Sequence, residues 1–219
     1  MKKFELTSET KINIFGKKLF RIKALVSFGV VKTGETGGWV EKEENVNQSG
    51  NAWVFGNAEV FGNAEVFGNA EVSDNAWVFD NAWVFGNARV FGNAGVFGNA
   101  EVFDNARVFD NARVFDNARV SGNAEVSGNA EVSDNAWVFD NARVFGNADY
   151  ATIHGFGTQF RTTTFFRCKD KQVKVSCGCF YGTIPEFREQ VKNTRKGKIA
   201  EEYLMIADLM EKHFAEEAK

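Results

Sequence analysis

The sequence predicts a mainly β protein whose centre is a triangular parallel β-solenoid, and three features of residues 51–150 indicate this fold. The dipeptide Asn-Ala recurs 17 times at intervals of six residues, in the unit Asn-Ala-x-Val-(Phe/Ser)-(Gly/Asp). Within the unit, Ala-x-Val alternates as a short strand does, with Ala and Val on one side and x on the other. Gly or Asp followed by Asn suits a sharp corner, because Gly, and to a lesser degree Asn, tolerates a positive φ. Each hexapeptide is therefore predicted to form one short strand and one corner.

Strands this short become stable only by stacking on copies of themselves, as the units of other solenoids do. Three hexapeptides close one triangular coil, so the 17 units predict five to six coils. At about 4.8 Å per stacked strand, the rod would be roughly 27 Å long. We expect Val in the interior, Ala in the tight space beside each corner, and Asn side chains in hydrogen-bonded columns along the rod.

The overall composition is that of a globular protein and excludes several classes of function. The 219 residues carry a net charge of −3, which gives no strongly basic surface for nucleic acid and no strongly charged surface for a membrane. No apolar run is long enough to span a bilayer, and the N-terminus MKKFELTSETK lacks the apolar stretch of a signal peptide. An odd number of Cys, three, cannot pair completely, and without a secretion signal we expect reduced thiols. The sequence therefore predicts a soluble, cytoplasmic protein.

Residues 1–50 are predicted to form a β cap on the first coil. The stretch KINIFGKKLFRIKALVSF, residues 11–28, alternates on its second arm and turns at Gly16-Lys17, which is the pattern of a hairpin. Such a cap has a physical reason, because an open solenoid end leaves strand edges unpaired and favours fibre growth.

The solenoid segment, residues 51–153, is followed by a predicted αβ module at residues 154–219. The stretches TTTFFRC and VKVSCGCF flank KDKQ as the two strands of a second hairpin. Thr183 and Glu186 form a predicted capping box for a helix that buries Phe187 and Val191. A final helix from Ile199 has apolar residues at helical spacing: Tyr203, Ile206, Leu209, Met210 and Phe214. This module either caps the second end of the rod or is the head that binds a partner.

The repeat also resembles a known family. Read from its Val, the segment VFGNAEV is similar to the hexapeptide-repeat pattern of left-handed parallel β-helix proteins: aliphatic, small or variable, two turn residues, small, variable. The resemblance implies a left-handed coil, although the usual crossover of parallel strands is right-handed. The stretch VVKTGETGGWV, residues 30–40, is similar to the lead-in of uncharacterised bacterial and phage hexapeptide-repeat proteins, some of which carry a provisional transferase label. The tail FFRCKDKQVKVSCGCFYGTIPEFREQVK resembles a module of phage and prophage proteins of unknown role. These resemblances imply a phage-derived protein in the host cytoplasm, with a host protein as a partner.

The aromatic residues of the repeat point to association with another chain. Twelve Phe and four Ser occupy the positions that directly follow a repeat Val. Strand alternation directs these side chains outward beside the corners, where stacked coils align them in three columns. A dozen partly exposed Phe form a larger apolar surface than a monomer normally leaves in water. The sequence therefore predicts a homodimer or homotrimer, and stacking along the rod of a monomer is the alternative.

The outward x positions contribute charges as well as rings. Arg107, Arg113 and Arg119 are consecutive x residues that encircle the rod at one level, where they can bind an anion. Three Asp at the adjoining corners are expected to neutralise them, so solvated surface charge is the simpler interpretation: Asp104, Asp110 and Asp116. The predicted binding residues are Phe91, Phe97, Phe103, Phe109, Phe115, Arg107, Arg113, Arg119, Trp77 and Trp83.

The resemblance also raises the possibility of an enzyme, because many hexapeptide-repeat proteins are acyltransferases in which a coil-wall His acts as general base. Both His of this chain lie outside the regular repeat, and no insertion between residues 51 and 148 builds a pocket. His154, which follows the repeat, is the candidate base. Near-identical units do not provide one unique catalytic arrangement, so the sequence favours a non-enzymatic scaffold or binding protein over an acyltransferase. A protein that sequesters a small anionic ligand between subunits, near the three Arg, is the third hypothesis.

The Cys residues provide a candidate metal site. Cys168, Cys177 and Cys179 would form a zinc-type ligand set together with His213 or His154. Their spacing, C-x8-C-x-C, is not that of a standard zinc knuckle, and free Cys is among the most buried residue types. The sequence therefore favours core packing and no cofactor, with zinc as the alternative.

Overall fold

The centre of the fold is a parallel β-solenoid, as predicted; the structure, a computed structural model, describes residues 2–215. Within those residues the solenoid has six coils, and its strands lie in three sheets. The strands are β3 (Thr36–Val40), β4 (Trp53–Val54), β5 (Glu59–Val60), β6 (Glu65–Val66), β7 (Glu71–Val72), β8 (Trp77–Val78), β9 (Trp83–Val84), β10 (Arg89–Val90), β11 (Gly95–Val96), β12 (Glu101–Val102), β13 (Arg107–Val108), β14 (Arg113–Val114), β15 (Arg119–Val120), β16 (Glu125–Val126), β17 (Glu131–Val132), β18 (Trp137–Val138) and β19 (Arg143–Val144).

Each sheet forms one face of the rod. The first face is β3-β5-β8-β11-β14-β17, the second face is β6-β9-β12-β15-β18, and the third face is β4-β7-β10-β13-β16-β19. Along every face, each strand of the repeat pairs in parallel with the equivalent strand of the next coil, for example Trp77 with Gly95. The residue before each repeat Val therefore forms a column along the outside of its face, and we call this place the outward position.

The solenoid begins before the first Asn-Ala pair. Trp39 pairs with Glu59, and Val46 forms an isolated β-bridge with Val66. In both pairs the two residues are slightly further apart in sequence than the paired residues of the later coils are. These residues present an aromatic ring outward and aliphatic groups inward, as the repeat does, although they lack its motif. Residues within the 1–50 segment therefore supply most of the first coil.

The interior of the rod consists of Val and Ala, as predicted. Every repeat Val from Val54 to Val144 and every repeat Ala from Ala52 to Ala142 is completely buried. Full burial of one such Val stabilises the folded state by about 1.5–3 kcal/mol relative to exposure.

The corners use the Gly/Asp position and not Asn for the left-handed backbone. Seven repeat Asp have φ values of 58–60°. Asp tolerates this conformation because its short side chain can bond to nearby backbone. The Asp74 carboxylate, for example, accepts a hydrogen bond of 3.0 Å from the backbone N–H of Gly92, one coil further on.

An antiparallel hairpin closes the N-terminal end of the rod. It consists of β1 (Phe4–Ile12) and β2 (Lys18–Ala24), and β2 continues the first face by pairing antiparallel with β3. The turn at residues 13–17 contains the predicted Gly16, whose φ is 75°. The hairpin begins at Phe4, earlier than the predicted residue 11, because Phe4 packs into the core at the end of the rod.

A four-stranded antiparallel sheet covers the other end of the rod. Its strands are β20 (Tyr150–Phe156), β21 (Arg161–Arg167), β22 (Val173–Cys177) and β23 (Phe180–Thr183), in that order. Phe166 and Cys168 pack on the end of the solenoid core, while Phe165 and Val175 pack on the helices. The predicted pairing of the segments on either side of KDKQ is confirmed by the β21–β22 ladder.

Two helices complete the C-terminal module: α1 (Ile184–Thr194) and α2 (Gly197–Phe214). The predicted capping box is confirmed, because the Thr183 hydroxyl accepts from the backbone N–H of Glu186 and the Glu186 carboxylate accepts from that of Thr183. The predicted helical spacing of apolar residues in α2 is confirmed: Tyr203, Ile206, Met210 and Phe214 are buried, and Leu209, beside Met210, is exposed. None of the described helices has the length and apolarity needed to cross a membrane.

Candidate functional site

The Phe residues form three stacked columns along the corners, as predicted. Their rings are nearly parallel, at 1–8°, and their centroids are 4.8–5.1 Å apart. The stacked residues are Phe61, Phe79, Phe97 and Phe115 in the first column, Phe67, Phe85 and Phe103 in the second, and Phe91 and Phe109 in the third. Because stacking covers their faces, these rings are half-buried or buried, and Phe145 is the one repeat Phe in the exposed class.

The structure does not gather the predicted binding Phe on one surface. Phe97 and Phe115 belong to the first column, Phe103 to the second, and Phe91 and Phe109 to the third. One partner chain on one side of the rod cannot contact all five.

The three predicted Arg also lie on three different faces, and their predicted neutralisation by corner Asp is wrong. Each guanidinium instead pairs with a Glu one coil away: Arg107 with Glu125 at 3.4 Å, Arg113 with Glu131 at 3.4 Å, and Arg119 with Glu101 at 3.0 Å. The reason is the register, because residues one full coil apart stand side by side in an outward column. The corner carboxylates instead accept hydrogen bonds from backbone N–H groups of the next coil, and all three expected neutralising residues do so: Asp104, Asp110 and Asp116.

Three hydrogen-bonded Asn ladders run along the rod and confirm that prediction. In each ladder the Asn amide N–H donates to the side-chain oxygen of the equivalent Asn one coil further on, at 2.9–3.4 Å. The ladders therefore pair these Asn amides along the rod.

The second face carries two exposed rings on either side of an ion pair. In rod order its outward column includes Trp83, Glu101, Arg119 and Trp137 on successive strands. The two Trp are 44% and 38% exposed. The Trp137 indole is held in place because its N–H donates to the Ser121 hydroxyl at 3.2 Å. Comparing the outward position of every third hexapeptide would have revealed this order in the sequence.

The first face has a gap in its outward column. Gly95 lies between Trp77 on one neighbouring strand and Arg113 on the other. A groove of about 520 Å³ opens there, with the Phe79 and Phe97 rings on one side and an Asn ladder on the other. The groove was not predicted from the sequence, although Gly95 is the one Gly among the x positions of the repeat.

The candidate base His154 is exposed at the edge of the C-terminal module. Its Nδ1 lies 3.3 Å from the Thr162 hydroxyl, and a shallow groove beside it includes Trp137, Phe160 and Ser176. His154 thus lies outside the repeat but shares this groove with Trp137 of the last coil.

The candidate zinc ligands are separated. Cys168 lies in the core at the rod end, where burial raises the pKa of its thiol to about 11. Cys177 and Cys179 instead line a small cavity of about 130 Å³ near Tyr203, and the Thr163 hydroxyl donates to the Cys177 Sγ at 3.1 Å. Within residues 2–215 there is no group of three or more His, Cys, Asp and Glu side chains that could hold a metal ion.

The C-terminal module is fastened to the last coil. The Tyr181 hydroxyl donates a hydrogen bond of 2.6 Å to the Asp140 carboxylate, and the backbone N–H of Trp137 donates to the Thr164 hydroxyl at 3.2 Å. Burial, together with the Asp140 carboxylate, raises the pKa of Tyr181. The Phe139 ring, which packs on Phe166 and Tyr181, is consequently covered by the chain itself.

Comparison with known proteins agrees with the fold. Residues 112–128 match the family model described as the YdcK beta solenoid repeat. This stretch includes β14, β15 and β16, which is one strand from each face. The search of the curated proteins gave no significant match. The chain is therefore a β-solenoid repeat protein.

Proposed function

We propose that this protein is a non-enzymatic β-solenoid that pairs with a second copy through its second face and presents the remaining surface to a protein partner. The observation that carries the proposal is the order of the outward column on that face: Trp83, Glu101, Arg119, Trp137.

This order is complementary to itself under a two-fold rotation. An isologous contact brings the same surface patch of both copies together, so residues equidistant from the axis face each other. With the axis midway between Glu101 and Arg119, each Glu101 faces the Arg119 of the second copy. Each Trp83 likewise faces a Trp137, at about 7 Å from the axis for strands about 4.8 Å apart. Aromatic anchors beside complementary charges are typical of protein interfaces.

The capped ends support lateral pairing. The hairpin β1–β2 and the sheet β20–β23 occupy the two ends of the rod, so neither end offers an open strand stack to another copy. On the first face, Phe15 of the hairpin already packs on Phe61 and Phe79. The second face leaves Trp83 and Trp137 as its exposed large apolar side chains.

Charge reversal tests this contact. Glu101→Arg places like charges on both sides of the two-fold axis and should convert a dimer into a monomer in sedimentation velocity, while the Glu101→Arg/Arg119→Glu double variant should restore the dimer. Glu71→Arg is the matched control, because it breaks an equivalent ion pair, 2.6 Å from Arg89, on the third face. A wild-type chain that stays monomeric, or an equal loss of the dimer in Glu71→Arg, would refute the proposed pairing.

The protein partner follows from the resemblance to phage hexapeptide-repeat proteins, which implies a host protein. Purification of a tagged chain from its native host tests this part, with Trp83→Gln as a comparison. A host protein that is recovered equally well with that variant binds outside the second face. Among the described residues, the acyltransferase alternative gains no support from His154, since the side-chain hydrogen-bond partner of its imidazole is the Thr162 hydroxyl and not a carboxylate.

A further inference from the structure

The missing side chain at Gly95 is not required by the backbone. Gly95 does not have a positive φ, unlike the neighbouring corner residues Gly92 and Gly98. A Cβ atom at this position would lie 3.6 Å from the Phe97 ring and 3.9 Å from Cγ of Arg113, which are ordinary contacts. Since Gly weakens a strand and often marks a site where another group approaches closely, the empty outward position calls for a reason other than folding.

The neighbours of the gap offer a stacking surface and a positive charge. Trp77 and Arg113 are two strands apart, which separates them by roughly 10 Å along the rod. A planar ring placed midway would lie about half that distance from Trp77 and from Arg113. This is close to the 4.8 Å between the stacked ring centroids of Phe79 and Phe97. An aromatic ring fits between an indole and a guanidinium because both surfaces favour stacking with it.

The Arg113 guanidinium can also bind an anion. Its one ion pair among the described residues joins Nη1 to Glu131 at 3.4 Å, and its side chain is 60% exposed. The remaining N–H groups form the planar fork that suits a carboxylate or phosphate.

The second face shows what a filled version of the same arrangement looks like. There Glu101 stands between Trp83 and Arg119, and its carboxylate accepts from Arg119 at 3.0 Å. A Trp and an Arg thus flank an anionic side chain on the second face and a glycine on the first, where the buried Gly95 has the Phe97 ring and the Arg113 stem close beside it. Phe15 of the N-terminal hairpin adds a ring to the groove on the Trp77 side, and its ring centroid is 6.0 Å from that of Trp77.

We propose that the groove at Gly95 binds a small planar aromatic anion, with the ring stacked between Trp77 and Arg113 and the anionic group on the Arg113 guanidinium. The groove of about 520 Å³ has the size of small-molecule sites in proteins. This site lies on the first face and is independent of the proposed pairing through the second.

Isothermal titration calorimetry with defined probes tests the proposal. Two ring-bearing anions, 2-naphthoate and adenosine monophosphate, distinguish an aromatic acid from a nucleotide as the preferred class. The neutral ring 2-naphthol and inorganic phosphate are the matched fragments. We expect at least one ring-bearing anion to bind saturably, about tenfold more tightly than either fragment.

Variants at Gly95 connect binding to the groove. Gly95→Gln fills the gap without changing the charge and should weaken binding by about tenfold or more, whereas Gly95→Ala leaves most of the space and should stay within about threefold of wild type. Arg113→Gln should remove the preference for 2-naphthoate over 2-naphthol. The proposal is wrong if neither anion binds saturably up to about 5 mM, or if Gly95→Gln binds as the wild type does. The Gly95→Gln variant should sediment as the wild type does, because the groove lies outside the second face. A failure of ligand binding can therefore be distinguished from a failure of the proposed dimer.

Discussion

The stacked Phe columns make a quantitative prediction about stability. Phe97 stacks on two rings, Phe79 at 4.8 Å and Phe115 at 5.1 Å. Phe115 stacks on Phe97 alone, because Ser133 occupies the next place in the column. Replacement of either Phe by Ser introduces a residue that the repeat already contains at the same position, so the coil itself should persist.

The number of lost stacks sets the expected cost. One favourable aromatic pair contributes about 0.5–1.5 kcal/mol beyond the burial of its area. Phe97→Ser removes two such pairs and Phe115→Ser removes one, and both rings are half-buried, so their burial contributions are similar. Phe97→Ser should therefore destabilise the protein by about 0.5–1.5 kcal/mol more than Phe115→Ser does.

A double-mutant cycle measures the shared stack directly. Free energies of unfolding from urea titrations, followed by circular dichroism, should give a coupling of about 0.5–1.5 kcal/mol between the two substitutions. Equal losses for the two single variants together with strict additivity in the double variant would show that the rings do not stabilise one another. The Phe columns would then be explained only by a partner that covers them.

Three further predictions concern the caps and corners. Burial lowers the pKa of Lys3 from 10.5 to about 8, and its ammonium group donates a hydrogen bond to the Ala52 carbonyl. Between these two pH values the unfolded chain binds more protons than the folded protein does, so the unfolding free energy increases with pH. The increase from pH 8 to 10.5 should be at most about 3 kcal/mol relative to a Lys3→Met variant. Parallel pH slopes of the two proteins in urea titrations would contradict this. Asp110→Val should cost more stability than Asp110→Gly in thermal melts, because a β-branched residue is strained at the φ of 60° that Gly adopts freely; the reverse order would rule out the left-handed corner. Thr183→Ala should lower the unfolding free energy by about 1 kcal/mol through loss of the α1 capping box, and Thr183→Ser should recover most of it; an unchanged midpoint in Thr183→Ala would show that this cap does not contribute.

The sequence alone was sufficient for features that depend on one repeating unit. A period of six places Val inward and Phe outward at every turn, and identical residues then meet in columns, which is why the Phe stacks and Asn ladders could be predicted. The capping box of Thr183 and Glu186 is likewise a local pattern, since its two residues are close in sequence and form both hydrogen bonds within one turn.

The tertiary structure decided every feature that depends on which coil a residue joins. The first coil starts at Trp39, outside the motif, because its pairing with the next coil is made by backbone hydrogen bonds and needs only an inward aliphatic side chain, which Val40 supplies. Arg119 forms its ion pair with Glu101 and not with a corner Asp. The stacking of one coil on the next decides which side chains are neighbours, whereas nearness in sequence does not. The same register separates the candidate binding Phe among three corners and creates both the Trp83–Trp137 arrangement and the gap at Gly95. The local period determines what each side chain faces, and the closure of three hexapeptides into one coil determines which side chain stands beside it.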